Sequence, residues 1–209
     1  MRLYLLIALV ASFTALWLVW RAAARGHSVP CPAWLSWMGD NPLSLRRTEA
    51  TIAHLELRPG HRVLDAGCGP GRLSVPISEA VGSGGSVLAL DIQPDMLRRA
   101  RRKAESASVT NIEFLQAGLG EGRLPSDRFD RAVLSTVLGE IPDRLAALRE
   151  IHSALKPGGF LLVNEVIGDP HYQSLTKVTE LAEAAGFRRA AVHGGRMAFS
   201  VKLEKPQVA

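Results

Sequence analysis

The sequence contains little cysteine and, beyond its first segment, no tryptophan. Only two of its 209 residues are cysteine, Cys31 and Cys68. Two cysteines cannot form a framework of several disulfides or a four-cysteine metal site, so we expect a reducing compartment and no bound metal. All four tryptophans lie within the first 37 residues. The N-terminal segment is therefore compositionally distinct from the rest of the chain.

Positive charge exceeds negative charge, yet it does not form a nucleic-acid-binding pattern. The formal net charge is +5 at pH 7, and the isoelectric point is about 9.7. Basic residues are dispersed except for one cluster within 98–103, and they are not interleaved with stacking aromatics. We therefore expect no nucleic-acid partner. We interpret the cluster as a solvent-exposed helix face, with contact to anionic lipid headgroups as the alternative.

Charge is absent altogether from residues 3–20. About 20 mostly apolar residues span a bilayer, and Tyr4, Trp17 and Trp20 suit its interfacial aromatic belts. We predict a transmembrane anchor over 1–26. The alternative is a secretory signal with a cleavage site at Ala22–Ala24, but the apolar core is longer than usual for a signal and Arg21 precedes the alanines.

The residues after the predicted anchor set its orientation and its surroundings. Positive charge is slightly greater on the C-terminal side, which places the following domain in the cytoplasm as part of a single-pass protein. Residues 27–43 contain three prolines and the pair Trp34 and Trp37. We predict an amphipathic linker on the membrane surface there, a plain proline-stiffened linker being the alternative. The remaining residues, 44–209, form one predicted domain.

A short glycine-rich stretch at 62–71 dominates this domain. Its apolar residues lead to Asp65, and Gly67, Gly69 and Gly71 follow. This pattern predicts a strand, a tight turn and a helix N-terminus, a combination that brings bare backbone close to a ligand. A dinucleotide-binding turn has the spacing G-x-G-x-x-G, whereas the spacing here is G-x-G-x-G.

Alternating strand and helix patterns follow and favour parallel βαβ units with a ligand site at the strand C-termini. Helices are predicted over 44–57, 71–81, 94–107, 144–155 and 175–185. After the first strand, further strands are predicted over 86–91, 111–116, 129–135, 160–166, from 185 onward, and 196–204. Gly194–Gly195 predicts a hairpin, so the sheet should end antiparallel.

Two motifs carry a family resemblance that covers roughly residues 45–205. The run V-L-D-A-G-C-G-P-G at 63–71 and the run L-K-P-G-G at 155–159 resemble those of class I S-adenosylmethionine (SAM) methyltransferases, in particular the quinone-biosynthesis (UbiE-like) and arsenite-type small-molecule enzymes. The resemblance implies SAM as cofactor. It also implies an α/β, Rossmann-like seven-stranded sheet of order 3-2-1-4-5-7-6, with helices on both faces and the last strand antiparallel.

Several residues become candidates for holding the cofactor. Asp91 ends the second strand beside the glycine turn, so we expect it to accept hydrogen bonds from two ribose hydroxyls rather than serve only as a helix cap. Many relatives have an acid where this chain has Gly118, so backbone groups, Leu119 or Glu121 are expected to hold the adenine instead. The expected cofactor-binding residues are Asp65, Gly67, Cys68, Gly69, Gly71, Asp91, Ile92, Met96, Gly118, Leu119 and Ser135.

Acids and a histidine near the ends of the fourth and fifth strands are candidate bases. We select Glu140 and His171, with Glu165 and Asp169 as further candidates, although a loop acid and a turn histidine are the plainer interpretations. We expect methyl transfer to a small, lipophilic acceptor such as a lipid, a quinone-like molecule or a thiol. The alternatives are a membrane-tethered, non-catalytic SAM-binding protein and an NAD-type oxidoreductase.

Overall fold

The computed structural model describes residues 42–207 and a few isolated positions nearer the N-terminus, namely 4, 8, 11, 12, 14 and 15. Apart from these positions and the start of the first helix, the predicted anchor (1–26) and linker (27–43) lie outside the described residues. Within the described part of the chain, no helix combines the length and the apolar character needed to cross a bilayer.

In the part of the chain that the structure describes, seven strands form one mixed sheet in the order β3-β2-β1-β4-β5-β7-β6, as predicted. Neighbours among β1 to β5 pair in parallel, whereas β7 is antiparallel to both β5 and β6. The strands are β1 (Arg62–Ala66), β2 (Ser86–Asp91), β3 (Ile112–Gln116), β4 (Phe129–Ser135), β5 (Leu155–Val166), β6 (Arg188–Gly195) and β7 (Ala198–Glu204).

Helices cover both faces of the sheet. They are α1 (Pro42–His54), α2 (Ser74–Val81), α3 (Pro94–Ser106), α4 (Arg144–Ala154) and α5 (Leu175–Ala184). Alternate residues of a strand point to opposite faces, so Val63 packs with α2 in one apolar core while Leu64 packs with α4 and α5 in another. The central strands are buried on both faces, as parallel strands between helix layers should be.

The L-K-P-G-G segment differs from the prediction. Helix α4 ends at Ala154, and Leu155 already pairs with Phe129 of β4. The register between β4 and β5 then shifts, so the residues between Leu155 and Phe160 form an irregularity inside β5 rather than a helix end. Pro157 has no N–H to donate to a ladder, and Gly158 has a positive φ of +78°, so both suit an interrupted strand.

The terminal hairpin also turns later than predicted. Gly194 and Gly195 belong to β6, and the turn falls at Arg196 and Met197, between β6 and β7. Gly194 has a φ of +93°, and a side chain there would collide with the carbonyl oxygen of Ala198. The glycine therefore permits close pairing of the two strands and does not form the turn itself.

Candidate functional site

The glycine turn after β1 has a backbone that only glycine adopts easily. Gly67, Gly69 and Gly71 have φ angles of +75°, +53° and +80°. A Cβ atom on Gly67 would lie 2.5 Å from the side chain of Val137, and one on Gly71 would lie 3.0 Å from Cβ of Ala100 in α3. Helix α2 begins at Ser74 rather than at Gly71 as predicted. Consequently the turn, and not a helix N-terminus, lies directly after β1.

Asp91 lies against this turn, as the parallel register of β1 and β2 requires. Its Oδ2 accepts a hydrogen bond from the backbone N–H of Gly69 at 2.9 Å, and its Oδ1 accepts one from the N–H of Gln93 at 2.8 Å. Burial raises the pKa of Asp91, and these two hydrogen bonds partly offset that effect. An ionised carboxylate has about four acceptor sites, so two of them remain for ligand hydroxyls.

A second carboxyl, Asp65, lies beneath the same turn. It is buried and accepts a hydrogen bond from the Ser74 hydroxyl at 2.6 Å. Burial raises its pKa to about 6, the Ser74 hydrogen bond opposes that rise, and the charge of Asp91 adds to it. Two carboxyl groups, Asp65 and Asp91, therefore border the turn. Such a site repels a pyrophosphate and favours a ligand with positive charge and hydroxyl groups.

Cys68 contributes backbone and bulk to the turn rather than reactivity. Its N–H donates to the carbonyl of Leu90 at 2.9 Å, and the N–H of Gly67 donates to the same oxygen at 2.8 Å. Burial raises the pKa of the Cys68 thiol, which disfavours the reactive thiolate.

The other residues predicted to bind the cofactor lie around the neighbouring ends of β2 and β3. Ile92 is 52 % exposed, whereas Met96 is buried in α3. Leu119 packs against the larger apolar core. The carboxylate of Glu121 lies where a side chain on Gly118 would lie. The carboxylate of Glu121, three positions further along the chain, therefore occupies the space that a side chain at position 118 would fill.

A cavity of about 210 Å³ opens next to the glycine turn, between α1 and the sheet. It begins at Arg72 and Leu73, directly after Gly71, and reaches the β6–β7 hairpin. The lining side chains that matter most for chemistry are Thr51, His54, Ser135, Asn164, His193 and Ser200. Glu165 also contributes to the lining.

Four of these residues form a polar row across the sheet. Asn164 pairs in register with Ser135 on one side and with Ser200 on the other, and Ser200 pairs with His193. Two residues earlier on the same strands, Val133 of β4 pairs with Leu162 of β5. Both of these side chains are apolar and buried. The row thus marks the change from core to cavity, and it runs from the cofactor side towards the edge of the sheet.

Helix α1 covers this row through two contacts. The Asn164 amide nitrogen donates to the Thr51 hydroxyl at 3.0 Å. The ring of His54 stacks on that of His193, with the centroids 3.9 Å apart and the planes 11° from parallel. Among the described residues, neither the Oδ1 atom of Asn164 nor the Nδ1 atom of His54 has a hydrogen-bond partner, although both atoms are buried.

A family model described as "Methyltransferase domain" matches residues 57–194. The chain belongs to this methyltransferase family. The match spans the glycine turn, the acids around it and most of the sheet. Membership confirms the predicted class, the SAM-dependent methyltransferases, and with it the expected cofactor, SAM.

Curated relatives share part of their length with this methyltransferase. The ubiquinone/menaquinone biosynthesis C-methyltransferase UbiE of Vibrio vulnificus (strain YJ016) is 42% identical over 122 residues, which is 58% of this chain and 46% of the relative. UbiE of Coxiella burnetii (strain Dugway 5J108-111) is 38% identical over 115 residues, 54% of this chain and 46% of that protein. The chain thus spans about half the length of the curated relatives it matches.

Solved structures share the fold. A SAM-dependent methyltransferase from Aquifex aeolicus has a TM-score of 0.77 at 24% identity, covering 84% of this chain and all of the other. The [4+2]-cyclase SpnF has a TM-score of 0.71 at 19% identity, covering 79% of this chain and 82% of the other. Because one of these folds belongs to a cyclase by name, the architecture alone does not establish methyl transfer.

The two bases selected from the sequence are not among the residues that line the cavity. Glu140 ends a short 3-10 turn, Leu138–Glu140, and His171 is buried. The N–H of His171 donates to Asp169 at 2.7 Å, and its carbonyl accepts from the Gln173 amide at 2.8 Å. The catalytic roles of Glu140 and His171 stay predictions.

Of the two buried acids Asp65 and Glu165, Glu165 shows the larger rise in pKa. Only 1 % of it is exposed, and its Oε2 accepts from the N–H of Gln173 at 3.1 Å. Its Oε1 has no hydrogen-bond partner among the described residues. Burial raises the pKa of Glu165 to about 8; the Gln173 hydrogen bond opposes this, and the nearby charge of Asp169 adds to it. The group is therefore mostly protonated at pH 7.

Sequence reasoning missed Thr51, His54, Asn164 and His193. They come from α1, β5 and β6, and the Asn164–Thr51 contact joins residues 113 positions apart. One local signal was present: Thr51 and His54 are three positions apart in a helix, so they share a face next to the apolar Leu55. A polar pair on a helix face that packs against the sheet indicates that this face borders a polar cavity in addition to the apolar core.

Proposed function

We propose that the chain transfers a methyl group from SAM to a small, lipophilic acceptor of quinone-like or phenolic type. The observation that carries this proposal is the pairing of an acid-bordered glycine turn with an adjoining cavity. The turn offers Asp65 and Asp91 to a cationic, hydroxylated cofactor. The cavity begins at the next residues along the chain.

The residues present fit SAM as a ligand. A side chain on Gly69 would meet no atom within 4 Å, so the turn has open space beside it. Asp91 keeps acceptor capacity for two hydroxyls after satisfying Gly69 and Gln93. When bound, SAM supplies a methyl group already activated on a positively charged sulfur.

The contribution of the protein is then mainly alignment. Asp65 and Asp91 stabilise positive charge and fix the sugar, while the cavity holds the acceptor and keeps water out. Alignment of two reactants can lower a barrier by ~7–11 kcal/mol. A group that takes up the acceptor's proton is needed only where the acceptor is not already ionised. Glu140, His171 and Glu165 stay candidates for that role.

Two features support a lipophilic acceptor. The curated relatives are named as ubiquinone/menaquinone biosynthesis C-methyltransferases, and residues 3–20 are uncharged and mostly apolar. We also propose that 1–26 is a single-pass anchor, that 27–43 lies on the membrane surface and that the catalytic domain faces the cytoplasm. An acceptor dissolved in the bilayer would then reach the cavity without crossing water.

Methyl transfer from radiolabelled SAM tests the proposal. The full chain in liposomes is expected to methylate a polyprenylated hydroquinone and to leave a water-soluble phenol nearly unmodified. Removal of 1–26 should reduce activity on the lipophilic acceptor; circular dichroism checks that the shortened chain folds. Equal activity on polar acceptors, with or without the segment, would remove the lipophilic assignment.

A second function has two observations in its favour. The family resemblance implies an acid at the place where this chain has Gly118, and the fold also occurs in a protein named as a cyclase. A SAM-binding protein without transferase activity is thus the alternative. Calorimetry with SAM and with NAD separates the methyltransferase and the non-catalytic SAM-binding protein from an oxidoreductase, because only the oxidoreductase would bind NAD. Turnover on an acceptor panel then separates the remaining two.

A further inference from the structure

We propose that one end of the domain docks on the surface of an anionic lipid bilayer and inserts the tip of the β6–β7 hairpin among the headgroups. This inference rests on the proposed function and deepens it by naming the surface through which the domain itself, apart from the segment 1–26, meets the membrane. That surface, which we call the docking face, combines exposed apolar and cationic side chains at the mouth of the cavity: Leu45, Arg46, Arg47, Ile167, Arg196 and Met197.

The hairpin tip lies at the end of the sheet where the parallel strands terminate. Val166, the last residue of β5, pairs with Ala198, the first residue of β7. The N–H of Ile167 donates to the carbonyl of Met197 at 2.8 Å. The turn between β6 and β7 is therefore fixed beside the end of β5, at the same end of the sheet as the glycine turn after β1.

The first turn of α1 reaches this end as well. Thr51 accepts its hydrogen bond from Asn164 near the end of β5. The carbonyl of Leu55 accepts one from Nε of Arg131, near the start of β4. The helix therefore runs from the end of these strands towards their start. At a rise of about 1.5 Å per residue, Leu45 lies about 9 Å beyond Thr51, at the end of the strands.

Three apolar side chains of the docking face are exposed to solvent. Met197 is 72 % exposed, Leu45 is 60 % exposed and Ile167 is 39 % exposed. The Tyr172 hydroxyl donates to the carbonyl of Arg196 at 3.0 Å, so the turn that carries Met197 is held in place. Exposed apolar groups rimmed by polar residues mark interaction sites, and amphipathic elements bury such groups about 5–10 Å into the headgroup boundary.

The polar part of the docking face carries positive charge. Arg46, Arg47 and Arg196 are exposed, and none of them forms an ion pair with a described residue. Two acids lie nearby along the chain. Asp169 already accepts a backbone N–H at 2.7 Å, and Glu49 lies one helical turn further from the strand end. The excess of positive charge is complementary to anionic headgroups, to which each arginine adds about fivefold in binding.

Continuity with the cavity and with the preceding chain favours a bilayer over a protein as the partner. Arg47, Val166 and Ala198 line the cavity, so its mouth opens on the docking face. The residues before Pro42 join the domain here, and they include the uncharged run at 3–20. A lipid surface accounts for the apolar tip, the cations and this attachment together, whereas a protein partner accounts only for the first two.

Fluorescence of a label on the hairpin tip tests the inference in the full chain. Cys31→Ser leaves only the buried Cys68, and Met197→Cys then carries a nitrobenzoxadiazole label. In vesicles of phosphatidylcholine and phosphatidylglycerol we expect emission at shorter wavelength and quenching by nitroxide-labelled lipid. A label on Glu183→Cys is the matched control. Glu183 is exposed near the end of α5, close to the start of β6 at the opposite end of the sheet, so this label should stay in water.

Charge reversal separates docking from general attraction to the membrane. Arg196→Glu should lower the ratio of docked to undocked tip about fivefold or more in the anionic vesicles. Arg189→Glu makes the same change of charge on the same strand, at its other end, and should leave the ratio nearly unchanged. An equal loss in both variants would mean that net charge alone acts, and the inference would fail.

Two further results would overturn the inference. One is a tip label that lipid does not quench in anionic vesicles. The other is a shielded label that lipid does not quench but that transfers energy between labelled copies, because a second copy of the chain would then cover the tip. The proposed function fails separately, when the tip docks but no methyl group reaches a lipophilic acceptor. It stands if transfer occurs while the tip label remains in water.

Discussion

Replacement of Glu165 with glutamine tests whether a buried carboxyl limits the stability of this fold at alkaline pH. The side chain is 1 % exposed, and only one of its oxygens has a hydrogen-bond partner among the described residues. Burial raises its pKa from 4.5 to about 8. Glutamine has nearly the same shape, keeps an oxygen for the Gln173 N–H and does not ionise.

The sign of the effect follows from proton linkage. The folded protein binds this proton more tightly than the unfolded chain, so the stabilisation is fully present below pH 4.5 and is lost as the pH rises through about 8. Each pKa unit corresponds to about 1.4 kcal/mol. The variant should therefore match the wild-type protein near pH 4.5 and exceed it by roughly 3 to 5 kcal/mol above pH 8.

Urea unfolding of both proteins at each pH unit from 5 to 9 provides the measurement. The difference in the free energy of unfolding should grow by up to about 1.4 kcal/mol per pH unit and level off near pH 8. Glu180→Gln, at an exposed site on α5, makes the same chemical substitution where no burial acts on the carboxyl, and it should shift stability by less than about 0.5 kcal/mol. A difference that stays flat from pH 5 to 8 would refute the reasoning.

Three further substitutions have expected outcomes. Asp91→Ala removes the carboxylate that accepts hydrogen bonds from two backbone N–H groups and is expected to accept them from the ribose hydroxyls. Because hydrogen bonds to charged groups contribute about 1.5–3 kcal/mol each, calorimetry should show that the affinity for SAM is at least tenfold lower. An unchanged affinity would contradict the assignment of this site. Gly71→Ala places a Cβ atom 3.0 Å from that of Ala100 and strains a φ of +80°, so urea unfolding should show a loss of about 1–3 kcal/mol; a neutral result would mean that α3 moves freely. Asp143→Ala removes the side chain that caps α4 through the N–H of Ala146 at 2.9 Å and should cost about 0.5–2 kcal/mol, whereas Asp143→Asn should retain most of the stability.

Much of the glycine turn and its surroundings was predictable from local sequence. Apolar runs ending in Asp65 and Asp91 indicated two parallel strands, and parallel neighbours bring their C-terminal ends together. The hydrogen bond from Gly69 to Asp91 agrees with that expectation. Boundaries were less predictable, because Pro157 and Gly158 are compatible with a helix end and with an interrupted strand. Pairing of Leu155 with Phe129 across the sheet decided between them.

The cavity was not predictable in the same way. Asn164 and Glu165 are adjacent in sequence and look equivalent as polar residues at a strand end. Strand alternation turns them to opposite faces, and the neighbours on each face give them different chemistry. Asn164 meets Thr51 of α1 beside the polar row, whereas Glu165 meets the 169–173 segment and is desolvated.

The sequence by itself determined the alternation of strands and helices, the glycine turn and the acids beside it, because periodicity and glycine backbone freedom act over a few neighbouring residues. Only the tertiary structure decided which polar groups face the cavity and which atoms are left without partners. Those properties depend on burial and on contacts between elements far apart in the chain, such as His54 with His193. Desolvation is a property of the packed molecule, and no short stretch of sequence encodes it.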